Sequence, residues 1–135
     1  MDDLTRFVER DFFARHLGIE MLEYGHGHAR ARMEIKDHHR NSAGTVHGGA
    51  IFSLADAAFS AASNSHGTLA VAINVGISFF KAATNGALVA EAEEISLNPK
   101  LASYRIAVKD EAGDLIAQFQ GMVYRKKNSI ADLLV

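Results

Sequence analysis

Residues Thr45–Ser65 read TVHGGAIFSLADAAFSAASNS, and from about Gly49 to Ser65 they predict a helix that is apolar almost all round. Such a helix belongs inside a protein, enclosed by other structure, rather than on a surface. Gly67 is expected to end it. The chain beyond Gly67 is strand-like: Thr68–Lys81, Ala87–Leu97, Leu101–Asp110 and Leu115–Lys126 alternate and are rich in β-branched and aromatic residues. The turn sequences TNG, NPK and EAGD separate them. Ahead of the helix, Ile19–Tyr24 and His28–Ile35 predict two more strands. In the second, Ala29, Ala31, Met33 and Ile35 alternate with His28, Arg30, Arg32 and Glu34, the pattern of a half-buried strand. The EYGHGHA between them supplies hairpin turn residues. Asp3–His16 predicts a short amphipathic helix with Leu4, Phe7, Val8, Phe12 and Phe13 near one face, capped by Asp2 or Asp3 and stopped by Gly18. The polar stretch KDHHRNSAGTV reads as a loop. With one helix to enclose and strands on both sides of it in the chain, the expected class is α+β. A curved antiparallel sheet wraps around the long central helix.

Composition narrows the function classes. The 135 residues suit one domain, 1–135, large enough to bury a core without staples. A net charge of -2 with both signs scattered along the chain makes no electrostatic case for nucleic acid or an anionic membrane. The absence of cysteine excludes disulfides and thiolate chemistry. Asp2 and Asp3 are unlike the basic start of a signal peptide, and no uncharged apolar run is long enough to span a bilayer. The expectation is a soluble, cytoplasmic protein.

Within the apolar helix stands one acidic residue, Asp56, beside Ala55, Ala57 and Ala58. A carboxylate there is either a core acid paired with an unseen base or a functional group, since ionisable residues in apolar settings cluster at active sites. Gly48-Gly49 at the helix start is either a tight entry turn or a place where a ligand oxygen approaches the backbone. His26 and His28, and the adjacent His38 and His39, lack the spacing of a metal site, so none is expected. Phe52, Phe59, Phe79 and Phe80 read as ordinary core, some of which could line a pocket.

Asn41, then His47-Gly48-Gly49, then Asp56 within SLAD, set in this order of elements, closely resemble the hotdog-fold thioesterases. The nearest group is the phenylacetate-degradation, or PaaI-like, branch of acyl-CoA thioesterases, and the resemblance covers nearly the whole chain. It implies a hotdog fold and hydrolysis of an acyl-CoA whose acyl group is aryl, such as hydroxyphenylacetyl, or a medium aliphatic chain. No cofactor is implied. It also implies a homodimer or homotetramer (a dimer of dimers) with sites at the dimer interface. By the same resemblance, Gly48 donates its backbone N–H to the thioester carbonyl and Asp56 attacks or activates water. Asn41 and His47 position substrate, water or the loop. Two positions depart from the family. A serine or threonine often found in the strand after the central helix is replaced by Ala72 or Asn74, and Lys81-Ala82 stands where many members have Arg-Pro. Gly49, Asn74 and Lys81 are the remaining candidates for substrate contact. Lys81 or the cluster Arg125, Lys126, Lys127 is a candidate for the coenzyme A phosphates.

The chemistry agrees. Thioester hydrolysis needs an oxyanion donor, a base or nucleophile, and a dry place for the acyl chain. The first turn of a helix has unpaired N–H groups and a positive dipole end. Asp56 lies eight residues beyond Gly48, so the two are roughly 12 Å apart along one helix. Both should lie about 3 Å from one reacting group. Two antiparallel helices of a two-fold dimer would bring Gly48 of one chain to Asp56 of the other. Two rivals remain: a hotdog hydratase or dehydratase, which would use a catalytic histidine in a different motif, and a non-catalytic acyl-CoA sensor.

Overall fold

The computed structural model describes residues 2–134. The chain runs α1 (Asp3–Glu9), α2 (Phe12–His16), β1 (Ile19–Gly25), β2 (His28–Glu34), α3 (Gly48–Ser63), β3 (Thr68–Phe79), β4 (Ala87–Leu97), β5 (Leu101–Lys109) and β6 (Leu115–Ser129). Single 3-10 turns occupy Asp37–His39 and Ile130–Leu133. All six strands join one antiparallel sheet in the order β1-β2-β4-β5-β6-β3. The hairpin β1–β2 adds to one side of β4, while β3, which follows α3, crosses to the far edge beside β6. The crossing carries α3 over the sheet.

Small residues let helix and sheet come close. Ala29, Ala31, Ala90, Ala92 and Ala102 are buried on the sheet, and Ala55, Ala58, Ala61 and Ala62 are buried on α3. The large residues gather at one point, where Phe59 packs on Tyr104 and Phe119 with ring centroids 5.8 and 5.4 Å away. Gly121 leaves the room they need: a Cβ there would lie 2.6 Å from Phe59 Cζ. At the β1–β2 hairpin His26 and Gly27 both take positive φ, 54° and 78°, the demand of the turn type that matches strand twist.

Several expectations change. The N-terminal helix is two helices, because Asp11 accepts a hydrogen bond from the Ala14 N–H (3.0 Å) and starts a new one. Phe12 and Phe13 are therefore not on a buried face; they are 68% and 66% exposed. Asp2, not Asp3, caps α1, by accepting from the Thr5 N–H at 2.7 Å. The central helix is not enclosed all round: Gly49, Ser53, Asp56 and Ser60 form a stripe that the chain leaves uncovered or half-covered. Their spacings of four, three and four place them on one face. β3 is half-naked too, with Val71, Ile73, Val75 and Phe79 exposed along an edge. No helix among the described residues is long and apolar enough to cross a membrane.

Candidate active site

The start of α3 is built by its cap. His47 has extended backbone, and its Nδ1 accepts the Gly49 N–H at 2.8 Å. Its carbonyl accepts the N–H groups of Ala50 and Ile51 at 2.9 and 3.2 Å. The Gly48 N–H is left without a partner among the described residues. It stands at the positive end of the helix dipole, as an oxyanion donor would. Because His47 Nδ1 is an acceptor here, its proton sits on Nε2, and the ring is occupied as a cap. The His47 N–H in turn bonds the His39 carbonyl at 2.7 Å. His39 is buried: its Nδ1 accepts the Lys36 N–H at 3.0 Å and its Nε2 donates to the Leu17 carbonyl at 2.7 Å.

Asn41 knits the preceding loop. Its Oδ1 accepts the N–H groups of Ala43 and Thr45 (2.9 and 3.2 Å), and its Nδ2 donates to Thr45 Oγ1 (2.9 Å). One amide hydrogen remains for another partner. Sequence reasoning missed Arg40 beside it, whose Nη1 donates to the carbonyls of Gly44 (3.0 Å) and Thr84 (2.6 Å). It ties the loop to the segment after β3. An arginine alone in a polar loop was the available signal. Phe79, expected as core or pocket lining, is 51% exposed, and its Cζ lies 3.2 Å from where a Gly48 Cβ would be. Phe80, read the same way, is 58% exposed.

Asp56 is half-buried, with no hydrogen-bond or ionic partner among the described residues. The bland reading of a core acid paired within its own chain therefore has nothing to rest on. Burial raises its pKa above the ordinary aspartate value, and the charge of Asp11 pushes the same way.

The other candidates lie apart. A bulge between Ala72 and Asn74 makes Ala72 pair with Val123, on the face toward α3, and Asn74 with Met122 on the opposite face. Asn74 there borders a shallow depression with Ser103 and Gln120, and the structure does not bring it to Gly48 and Asp56. Lys81 is bound by Asp114 and, at 3.5 Å, by Asp110, at the turn between β5 and β6; the Asp114 bond foremost raises its pKa. Arg125 donates to the Asn98 carbonyl at 2.9 Å, holding the β4–β5 turn.

Residues 43–117, more than half of the chain and spanning His47, Gly48 and Asp56, match the model of the thioesterase superfamily. The chain belongs to that superfamily. This thioesterase is 52% identical over 110 residues to an Archaeoglobus fulgidus protein provisionally named an esterase, covering 81% of the chain and 71% of that protein. It is 33% identical over 118 residues to the acyl-coenzyme A thioesterase PaaI of Escherichia coli, covering 87% and 84%. The solved structure of E. coli PaaI, from the phenylacetic acid degradation operon, superposes with a TM-score of 0.90 at 30% identity, covering 94% and 93% of the two chains. A mutant of the Thermus thermophilus phenylacetic acid degradation protein PaaI superposes with a TM-score of 0.83 at 38% identity, covering 86% and 100%. The thioesterase is a PaaI-like hotdog protein and a thioester hydrolase, as its sequence motif implies.

Proposed function

We propose that this thioesterase hydrolyses acyl-CoA thioesters to the free acid and coenzyme A, at sites shared by two chains. The observation that carries the reading is an unpaired Gly48 N–H and an unpartnered, half-buried Asp56 on one helix. They are roughly 12 Å apart, too far to serve one carbonyl within a chain. The uncovered stripe through Gly49, Ser53, Asp56 and Ser60, and the apolar edge of β3, favour a two-fold partner on that side.

In this reading the Gly48 N–H polarises the thioester carbonyl. Asp56 of the partner subunit takes a proton from water as the water oxygen adds to that carbonyl, or its carboxylate adds directly and water then hydrolyses the resulting anhydride, freeing the acid and Asp56. The tetrahedral oxyanion is held by Gly48 and the coenzyme A thiolate leaves. His47 fixes the donor turn by occupying Gly49, and Asn41 holds the loop and offers its last amide hydrogen to substrate or water. Lys81, already paired with two carboxylates, is a weaker candidate for the coenzyme A phosphates than the solvated Lys126 and Lys127. The kinship with PaaI proteins, one of them from a phenylacetic acid degradation operon, supports an aryl acyl group, with a medium aliphatic chain as the alternative.

Thiol release measured over a panel of aryl- and alkyl-CoA esters tests this. Turnover of at least one aryl or medium-chain ester supports it. Hydration of enoyl-CoA without free thiol, or tight binding with no turnover, would replace it with one of the rivals.

A further inference from the structure

The loop between β2 and α3 carries Asn41, and packing does little to hold its tip. Ser42, Ala43 and Gly44 are exposed, and Gly44 turns the chain with a φ of 83°. Hydrogen bonds must therefore fix the tip in place. Many of them lie inside the loop. Asn41 Oδ1 accepts the N–H groups on either side of Gly44, those of Ala43 and Thr45. The Asn41 N–H donates to the Thr45 carbonyl at 2.8 Å, and the Gly44 N–H to the Asn41 carbonyl at 3.0 Å. These bonds set the shape of the tip but not where it stands.

The base of the loop is placed by the Val46 N–H, which donates to the Ala83 carbonyl at 2.9 Å. Among the described residues, one side chain ties the tip outward. Arg40 Nη1 donates to the Gly44 carbonyl at 3.0 Å and to the Thr84 carbonyl, next after Ala83, at 2.6 Å. The anchor is firm. The connection 80–86 is pinned at both ends, by the Phe80 N–H on the carbonyl of buried Ile116 (2.8 Å) and by the Ala87 N–H on Glu111 Oε1 (2.6 Å). The guanidinium is also occupied. Its Nη1 hydrogens go to the two carbonyls and its Nε hydrogen to Asp37 Oδ1 at 3.3 Å, while Nη2 lies 3.5 Å from Asn85 Oδ1. It is spent as a brace and not held out to a phosphate.

We propose that Arg40 is a positioning residue for hydrolysis: by locking the loop tip to the β3–β4 connection, it aims the remaining amide hydrogen of Asn41. The proposal rests on the acyl-CoA reading of the site. The contacts run from the Thr84 carbonyl through Arg40 to the Gly44 carbonyl, and from there to the Ala43 and Thr45 N–H groups that hold Asn41 Oδ1. A tip displaced by about 1 Å would carry the amide hydrogen out of bonding range, and misplacement of that size costs up to about a hundredfold in rate. Arg40 touches no reacting atom, so its effect passes through Asn41.

That dependence is what the test reads. Values of kcat and KM for one acyl-CoA ester are measured in wild type, Arg40→Met, Asn41→Ala and the double mutant. Arg40→Met keeps most of the stem and removes the guanidinium; it is expected to lower kcat by about tenfold or more, with KM little changed. In the Asn41→Ala background the same substitution should cost less than about twofold, because the group it aims is gone. Equal losses in both backgrounds, or no loss in either, would overturn the proposal. A loss confined to KM would also overturn it and make Arg40 a coenzyme A contact instead. Arg40→Lys keeps a cation near the carbonyls and should recover part of kcat; it carries the same comparison where Arg40→Met does not fold. A second readout needs no turnover. With side-chain amides isotope-labelled, the Asn41 signals, assigned by their loss in Asn41→Ala, should move toward free-asparagine positions in Arg40→Met. Unmoved signals would count against the brace. Moved signals in a protein that hydrolyses no ester would keep the brace and remove the hydrolytic reading.

Discussion

Asp56→Ala and Gly48→Val should each be inactive as homodimers and should restore one another when mixed. Asp56→Ala removes the only carboxylate on α3 and is expected to lower kcat by about 10²–10⁴-fold, the range of a lost acid–base group. Gly48→Val puts bulk at the donor turn. A Cβ at Gly48 meets Phe79 Cζ at 3.2 Å, and that ring is half exposed and able to swing, so the helix should still form. The spacing sets the outcome. Eight residues of helix separate the two groups by roughly 12 Å, so in the proposed two-chain arrangement each site takes Gly48 from one chain and Asp56 from the other. In a mixed dimer one site collects both intact residues and the other both defects. Random re-pairing of equal amounts makes about half of the dimers mixed, each with one working site of two, so activity should return to about a quarter of wild type. The mutants are unfolded together, refolded and assayed for thiol release, with each refolded alone as control. If heterodimers form and activity stays at the control level, the shared site is wrong.

The remaining predictions are independent of re-pairing. In the proposed mechanism Asp56 acts ionised, and burial, then Asp11, raises its pKa. The acid limb of kcat/KM should therefore lie above the ordinary aspartate range, and Asp11→Asn should move it to lower pH; an unmoved limb would count against the coupling. Stability should run the other way. A carboxyl whose folded pKa is raised costs stability in full above that pKa, and the cost is lost as pH falls through it towards the unfolded value. Asp56→Asn should thus raise Tm at neutral pH while abolishing turnover; a lower Tm would argue for a structural role. Gly121→Ala should destabilise by about 1–3 kcal/mol through overpacking against Phe59. Phe59→Leu in the same chain should recover part of that in a denaturant titration, and simple additivity would refute the contact. Tyr104→Phe removes a 2.6 Å bond to Glu94 and should cost about 2 kcal/mol, visible in the same titration.

Much of the fold and part of the site were legible because they are local. Alternation in His28–Ile35 marks a strand whatever its neighbours, and the run from about Gly49 to Ser65 marks a buried helix for the same reason, observed at Gly48–Ser63. The motif at Asn41, His47, Gly48 and Asp56 is a feature of one segment. The structure adds its working detail: a cap that consumes the Gly49 N–H and spares that of Gly48. The split of the first helix was less legible, because Asp11 reads equally well as a helix residue and as a cap until the backbone chooses.

Other features depend on contacts distant in sequence. Strict alternation would put Ala72 and Asn74 on one face, but the bulge between them turns Asn74 to the other. Lys81 looked available for a phosphate until the β5–β6 turn brought Asp110 and Asp114 to it. Phe79 became a neighbour of Gly48, and Asp11 of Asp56, only when β3 took the far edge and the N-terminal helices folded over α3. By itself the sequence determined which segments are helix and strand and which residues are candidates for the chemistry, since periodicity and motif spacing act over a few neighbouring residues. Only the tertiary structure decided strand order, the face each side chain takes, and the tie from Arg40 to Thr84, because these depend on which distant surfaces exclude water together.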